Sequence, residues 1–149
     1  MTDTLHRILP QVQKPARYVG GEYNQIVKDK KTIDVRVAFC FPDTYEIGMS
    51  NIGMRILYGL MNELPGVWCE RVFAPWGDME EKMRENAIPL YALESHDPVK
   101  AFDLIAFTIG YEMSYTNILN MLELSCVPLL AKDREGLENI VFAGGVCAV

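Results

Sequence analysis

The fold is decided by the segment Thr32-Ile-Asp-Val-Arg-Val-Ala-Phe-Cys-Phe-Pro-Asp43. Apolar side chains first alternate with other residues, and the run from Val37 to Phe41 is apolar throughout. A continuous apolar run of this length is typical of a central strand of a parallel sheet, which is buried on both faces. Pro42 cannot donate to a strand ladder, so we expect the strand to end there.

Periodic segments on the carboxyl side of this strand predict alternating helices and strands. Apolar residues at helical spacing predict helices from Ser50 to Leu64, from Asp78 to Glu85 or Ala87, and from Ser114 to Ser125. Ser50 and Asp78 are the expected N-caps, and Asp78 with Glu81 has the form of a capping box. Short apolar runs predict four further strands, over Val67–Phe73, Leu90–Leu93, Asp103–Ile109 and Ile140–Ala143.

The alternation of strands and helices predicts an α/β fold with right-handed crossovers. We expect a Rossmann-like, doubly wound parallel sheet of the cobalamin-binding type over residues 32–149, with strand order 3-2-1-4-5. Residues 1–31 are interrupted by prolines and a glycine pair, and they predict an N-terminal arm with a short helix near Leu5–Leu9. The chain stops soon after the last strand, which indicates an N-terminal fragment of a longer polypeptide.

Composition narrows the class of protein. The net charge of −6 argues against general binding of nucleic acid or of an anionic membrane. The chain has neither a signal peptide nor an apolar run long enough to cross a bilayer. We therefore expect a cytoplasmic protein. The four cysteines form no Cys-x-x-Cys pair, which favours buried free thiols in a reducing compartment.

A ligand site is predicted where the first and fourth strands end, because ligands of open parallel sheets bind beyond the carboxyl ends of the strands at the point where strand order reverses. Three loops meet there, and they supply short polar, aromatic and glycine residues. The candidate ligand-binding residues are Asp43, Thr44, Tyr45, Gly48, Ser50, Thr108, Gly110, Tyr111, Glu112, Gly144 and Gly145. The alternative is that they cap helices and form tight turns.

No catalytic residue and no metal ligand is predicted in this chain. The loops contain neither the Gly-x-Gly-x-x-Gly nor the P-loop pattern, which argues against nucleotide binding by those mechanisms. His6 and His96 fall in polar segments, and neither accompanies a serine or cysteine in a nucleophile motif.

Several segments in order resemble a known family. Phe39–Gly53, Phe102–Thr108 and Ile140–Gly145 are similar in order and spacing to a cobalamin-binding-type domain. More closely, nearly the whole chain resembles the N-terminal region of an uncharacterised branch of radical SAM proteins. Gln13–Asn24 and Cys69–Trp76 carry this closer resemblance.

The resemblance implies an accessory domain that packs over a catalytic radical SAM barrel of the same chain and helps bind cobalamin or substrate. The Cys-x-x-x-Cys-x-x-Cys motif of that barrel is absent from these residues, so the [4Fe–4S] cluster and S-adenosylmethionine are expected only beyond Val149. The loop after the first strand also lacks the histidine that ligates cobalt from below in some cobalamin domains. Two hypotheses for its function stay open: the domain binds a corrinoid without that histidine, or it is a docking module that has lost corrinoid binding. A flavodoxin-like or receiver-like domain is a third, less favoured hypothesis. Substrate and oligomeric state are left open.

Overall fold

A computed structural model of the chain describes residues 2–137 and 139–147. Their centre is a parallel sheet of four strands in the order β2-β1-β3-β4. The strands are β1 (Val35–Phe41), β2 (Val67–Phe73), β3 (Leu104–Thr108) and β4 (Ile140–Gly144). The α/β class and the parallel sheet predicted from the sequence are confirmed.

Five α-helices connect and cover these strands, and 3-10 turns join them. The helices are α1 (Thr2–Ile8), α2 (Tyr45–Ser50), α3 (Ile52–Glu63), α4 (Gly77–Glu85) and α5 (Ser114–Leu124). Within the described ranges, no helix is long and apolar enough to cross a membrane.

The two faces of the sheet are covered by different helices. On one face, Met79 and Met83 of α4 and Met121 of α5 pack with Ile105 in the larger apolar core. On the other face, Met54 and Tyr58 of α3 pack against Val37 and Phe39 of β1. β1 therefore contributes side chains to both cores, as its continuous apolar run predicts.

The predicted third strand and the five-strand order 3-2-1-4-5 are wrong. The Leu93 amide donates to the Arg71 carbonyl of β2 at 2.9 Å, so this segment does lie beside β2. Among the described residues, the segment forms a bridge through Tyr91 to Pro98 in the following loop, and not a ladder with β2. The next ladder position on β2 is taken by a side chain, because the Arg71 amide donates to a carboxylate oxygen of Glu94 at 2.7 Å.

Side chains close the rest of the β2 edge. The Asn62 side chain accepts a hydrogen bond from the Cys69 amide at 3.1 Å and donates one to the Cys69 carbonyl at 3.0 Å. The Lys28 ammonium donates to the Val67 carbonyl at 2.5 Å. An edge satisfied by side chains offers few free backbone groups to another strand.

Helix starts differ from the sequence prediction. The helix predicted from Ser50 to Leu64 is α3, which begins at Ile52, and Asn51 caps it by accepting from the Met54 amide at 2.8 Å. The short helix α2 precedes it and was not predicted. Ser50 instead donates to the Ile47 carbonyl. The capping box at Asp78 does not form: Asp78 accepts from the Gln13 amide of the arm at 2.6 Å.

The N-terminal arm packs on the domain itself. Its helix covers Thr2–Ile8 rather than Leu5–Leu9, and a 3-10 turn follows over Leu9–Gln11. Leu5 and Ile8 are 1% exposed and belong to the larger core. The arm therefore contributes to the same apolar core as α4 and α5.

The cysteines do not all follow the expectation of buried thiols. Cys40 and Cys69 are buried, whereas Cys126 is exposed and Cys147 is half-buried. Cys126 lies beyond the end of α5, in a turn with a φ of 56°, and not on the helix as predicted.

Replacement of Asn62 tests the closure of the β2 edge. We expect Asn62→Ala to lower the free energy of unfolding by about 1–3 kcal/mol, because it leaves the buried Cys69 amide and carbonyl without partners. Urea unfolding measures the change, with Glu63→Ala on the exposed side of the same helix as the matched control. Equal stability of the two variants would contradict this role of Asn62.

Candidate functional site

The carboxyl ends of β1 and β3 lie side by side, because β1 pairs in parallel with β3 from Val37↔Leu104 to Cys40↔Phe107. This neighbourhood brings two predicted site residues into contact: the Tyr111 hydroxyl donates to Asp43 Oδ2 at 2.9 Å. The other oxygen of Asp43 accepts from the Thr44 amide at 2.7 Å. Tyr111 remains 42% exposed, and the hydrogen bond to Asp43 raises its pKa.

Further hydrogen bonds join the three predicted loops into one surface. Asn117 of α5 donates to the Pro42 carbonyl at 2.8 Å. The Ile109 amide donates to the Gly144 carbonyl at 2.8 Å, and the Tyr115 hydroxyl donates to the Cys147 carbonyl at 2.6 Å. We call the carboxyl-end surface formed by Asp43, Gly110, Tyr111 and Gly144 the open edge.

The four candidate glycines divide into two kinds. A Cβ at Gly48 would overlap the Phe73 ring, and one at Gly145 would overlap the Ile109 backbone. Gly145 also has a φ of +142°, which side-chain-bearing residues rarely adopt. At Gly110 and Gly144 nothing lies within 4 Å of the added atom. Only the latter two therefore present backbone that an external group can approach.

Among the remaining candidates, Ser50 and Tyr45 make contacts within the domain, whereas Glu112 is exposed. Ser50 is occupied with its own helix. Tyr45 packs edge-on against Phe73 with ring centroids 5.5 Å apart, and burial together with the nearby Glu22 raises its pKa. Thr108 is half-buried at the end of β3, and Glu112 is exposed. The pKa of the Cys147 thiol is raised by burial and by Glu112.

The N-terminal arm covers the other half of the carboxyl edge, which the sequence did not reveal. Arg17 and Lys14 contact one carboxylate oxygen of Glu46 at 2.8 and 3.2 Å. The Arg17 guanidinium lies over the Trp76 ring, 5.6 Å from its centroid. The cavity enclosed between arm and sheet has about 20 Å³ of free volume, which is room for little more than a water molecule. The β2 half of the edge is therefore occupied by the chain itself.

A buried cluster of charged side chains attaches the arm to β2 through Glu22. The Arg71 side chain, 4% exposed, contacts Glu94 at 2.6 Å and Glu22 of the arm at 2.9 Å. Its guanidinium also lies 4.7 Å from the Tyr58 ring centroid. Burial raises the pKa of Glu94 although Arg71 opposes the shift. Charge pairing thus attaches the arm to the middle of β2, below the carboxyl edge.

Among residues 2–137 and 139–147, no three histidine, cysteine, aspartate or glutamate side chains lie close enough together to hold a metal ion.

Comparison with known proteins identifies the family. Residues 53–149, more than half of the chain, match the family described as the N-terminal region of radical SAM proteins. The chain belongs to this family. It is also 26% identical over 115 residues to an uncharacterized protein of Methanocaldococcus jannaschii, and the aligned part covers 76% of this chain and 20% of that relative. The chain thus spans about a fifth of the length of this curated relative. No solved structure gives a significant match.

Substitution by alanine is expected to lower stability at one kind of glycine and to leave it nearly unchanged at the other. We expect Gly48→Ala to lower the free energy of unfolding by about 1–3 kcal/mol, because the added methyl group overlaps Phe73. Gly110→Ala meets open space, so its free energy of unfolding should stay within about 1 kcal/mol of the parent value. Chemical denaturation compares them, and a Gly48→Ala protein as stable as Gly110→Ala would refute the packing role of Gly48.

The contact between the arm and Glu46 predicts a pH dependence. The hydrogen bond from Arg17 lowers the pKa of Glu46 to about 2, so its stabilising contribution is present above the ordinary glutamate pKa of about 4.5 and is lost as pH falls toward 2. We expect the indole N–H resonance of Trp76, which lies under Arg17, to shift over this range in the parent protein and to stay constant in Glu46→Gln. Trp68, bonded to the Ile26 carbonyl, is the internal reference. A parallel shift of Trp68 would attribute the change to general unfolding instead.

Proposed function

We propose that this chain is an accessory domain of a radical SAM enzyme and that its open edge binds cobalamin or a substrate group. Membership of the N-terminal family of radical SAM proteins supports the first part. The observation that carries the second is the exposed Asp43–Tyr111 hydrogen bond at an edge that also carries two glycines with free space around them, Gly110 and Gly144. The other half of the carboxyl edge is filled by the arm.

The residues of the open edge fit part of a corrinoid site. Gly110 and Gly144 leave room for a large flat ligand to approach the backbone. While the Tyr111 hydroxyl donates to Asp43, the oxygens of both side chains can still accept from the N–H groups of amides at the rim of a corrin. A bound cobalamin would supply a cobalt centre for group transfer. The loop Pro42–Ser50 has no histidine, so this chain holds the ligand through its rim and not through a loop ligand to cobalt.

The remaining chemistry is assigned to the downstream barrel. The [4Fe–4S] cluster and S-adenosylmethionine require ligands that these residues do not contain, since the chain lacks a Cys-x-x-x-Cys-x-x-Cys motif. In this proposal the domain packs against that barrel, in the cytoplasm, with the open edge directed toward the reacting groups. Its role is to position a ligand, with no catalytic side chain of its own.

A docking module without corrinoid is the second candidate function. It is favoured by the use of Gly48 and Gly145 for internal packing, since only two of the four candidate glycines stay accessible. Under this alternative, the open edge contacts protein alone.

Titration of the longer protein with hydroxocobalamin tests corrinoid binding. We expect a saturable change in the visible absorption spectrum, with one corrinoid bound per chain. Gly144→Val places a branched side chain in the free space beside the open edge and should raise Kd at least about tenfold, equivalent to about 1.4 kcal/mol. Tyr23→Phe, at a fully exposed tyrosine of the arm, is the matched control and should leave Kd unchanged.

The outcomes separate the two candidates. Binding that is weakened by Gly144→Val and not by Tyr23→Phe supports a corrinoid site at the open edge. Full iron–sulfur loading with no spectral response to hydroxocobalamin would reject the corrinoid and favour the docking module. Binding unaffected by Gly144→Val would place the corrinoid elsewhere in the protein.

A further inference from the structure

Helix α3 is apolar on its solvent side as well as on its sheet side. Met54 and Tyr58 face the sheet, at 3% and 5% exposure. On other sides of the helix, Leu57, Leu60 and Leu64 just beyond its end are 48%, 54% and 53% exposed. A second apolar stripe, at spacings of three and four residues, on a helix that already buries one apolar face is typical of a helix packed on two sides. The exposed leucines therefore indicate an interaction surface.

The hydrogen bonds of α3 show which flank this surface occupies. The Tyr58 hydroxyl accepts from the Ile26 amide, and the Asn62 side chain bonds to Cys69, so both residues lie toward the β2 edge. Successive helical residues are about 100° apart, which places Leu57 and Leu64 on the opposite flank. That flank is turned toward β3 and β4.

The sheet face beside this flank is apolar, and its β4 part is exposed. In the strand register, Val37 aligns with Leu104 and Ile140. Val37 belongs to the core under α3, so its aligned neighbours on β3 and β4 lie on the same face of the sheet. Ile140 and, two positions further along β4, Phe142 are 62% and 48% exposed. On the opposite face, α4 and α5 cover the core.

These two surfaces define one groove, lined by Leu57, Leu64, Ile140 and Phe142. We propose that this groove binds a helix with an apolar face that belongs to the same polypeptide outside residues 1–149. Parallel sheets are normally covered on both faces, and large exposed apolar patches mark interaction sites. The groove would supply the second layer on the β3–β4 half of the sheet.

A segment of the same polypeptide is favoured because the chain spans about a fifth of the curated relative and belongs to an N-terminal family. A covalently connected segment has an effective concentration in the millimolar range, far above that of a separate partner. The inference rests on the part of the proposed function that makes this chain one domain of a longer protein. It does not require corrinoid binding, because the leucines of α3 that line the groove take no part in the open edge.

Hydroxyl-radical footprinting of the longer protein tests the groove. The probes are Leu57 and Leu64, and the matched reference is Leu119 of α5, which has a similar exposure of 50% on the opposite side of the sheet. We expect the two groove leucines to be oxidised at least about fivefold more slowly than Leu119 when each rate is normalised to the denatured protein. Leu57→Glu should lower the Tm of the longer protein by several degrees, whereas Leu119→Glu should not.

Three results would overturn the proposal. Oxidation of Leu57 and Leu64 as fast as that of Leu119 would show that the groove is open. Protection that increases with protein concentration and follows a monomer–dimer equilibrium would assign the groove to a second copy of the chain. Equal Tm losses in both glutamate variants would show that the effect is general. A failed hydroxocobalamin titration alters none of these readouts, so the two proposals fail separately.

Discussion

The burial of β1 between β2 and β3 is the constraint on which the rest of the structure depends. Ala38 and Cys40 are fully buried toward one core, and Val37 and Phe39 face the other. A strand with apolar side chains on both faces needs a helical layer on each side and a strand at each edge. The parallel pairing of β1 with β3 then brings the turns after them together, which is why Asp43 meets Tyr111 across 68 residues of sequence.

The two edges of the sheet differ in how far they are covered, and the proposed interaction surfaces follow from this difference. The β2 side is closed by Asn62, Glu94 and Lys28 and covered by the arm. The β4 side keeps exposed apolar residues such as Phe142, and the nearby open edge keeps accessible backbone at Gly144. The two surfaces proposed to bind a ligand and a further protein segment therefore both lie on the β1–β3–β4 half.

Sequence periodicity predicted most of the elements, because β1, β2 and α5 are long apolar segments with clear boundaries. It failed at Leu90–Leu93, where a short apolar run is compatible with a strand, but the carboxylate of Glu94 takes the next backbone donor. The adjacency of Asp43 and Tyr111 followed from the strand-order rule alone. The packing roles of Gly48 and Gly145 could not be predicted, because a glycine needed for packing and a glycine open to a ligand look the same in a sequence. The contacts of Arg17 with Glu46 depend on the path of the arm, which has no periodicity to reveal it.

The most direct test of the account is the set of nuclear Overhauser contacts between β1, β3 and the loops that follow them. The account predicts contacts between the backbones of Phe39 and Ala106, which are aligned in the register, and between the Tyr111 ring protons and the Cβ protons of Asp43. It would be contradicted by a spectrum in which β1 contacts β2 alone and the Tyr111 ring reaches no residue from Pro42 to Ser50.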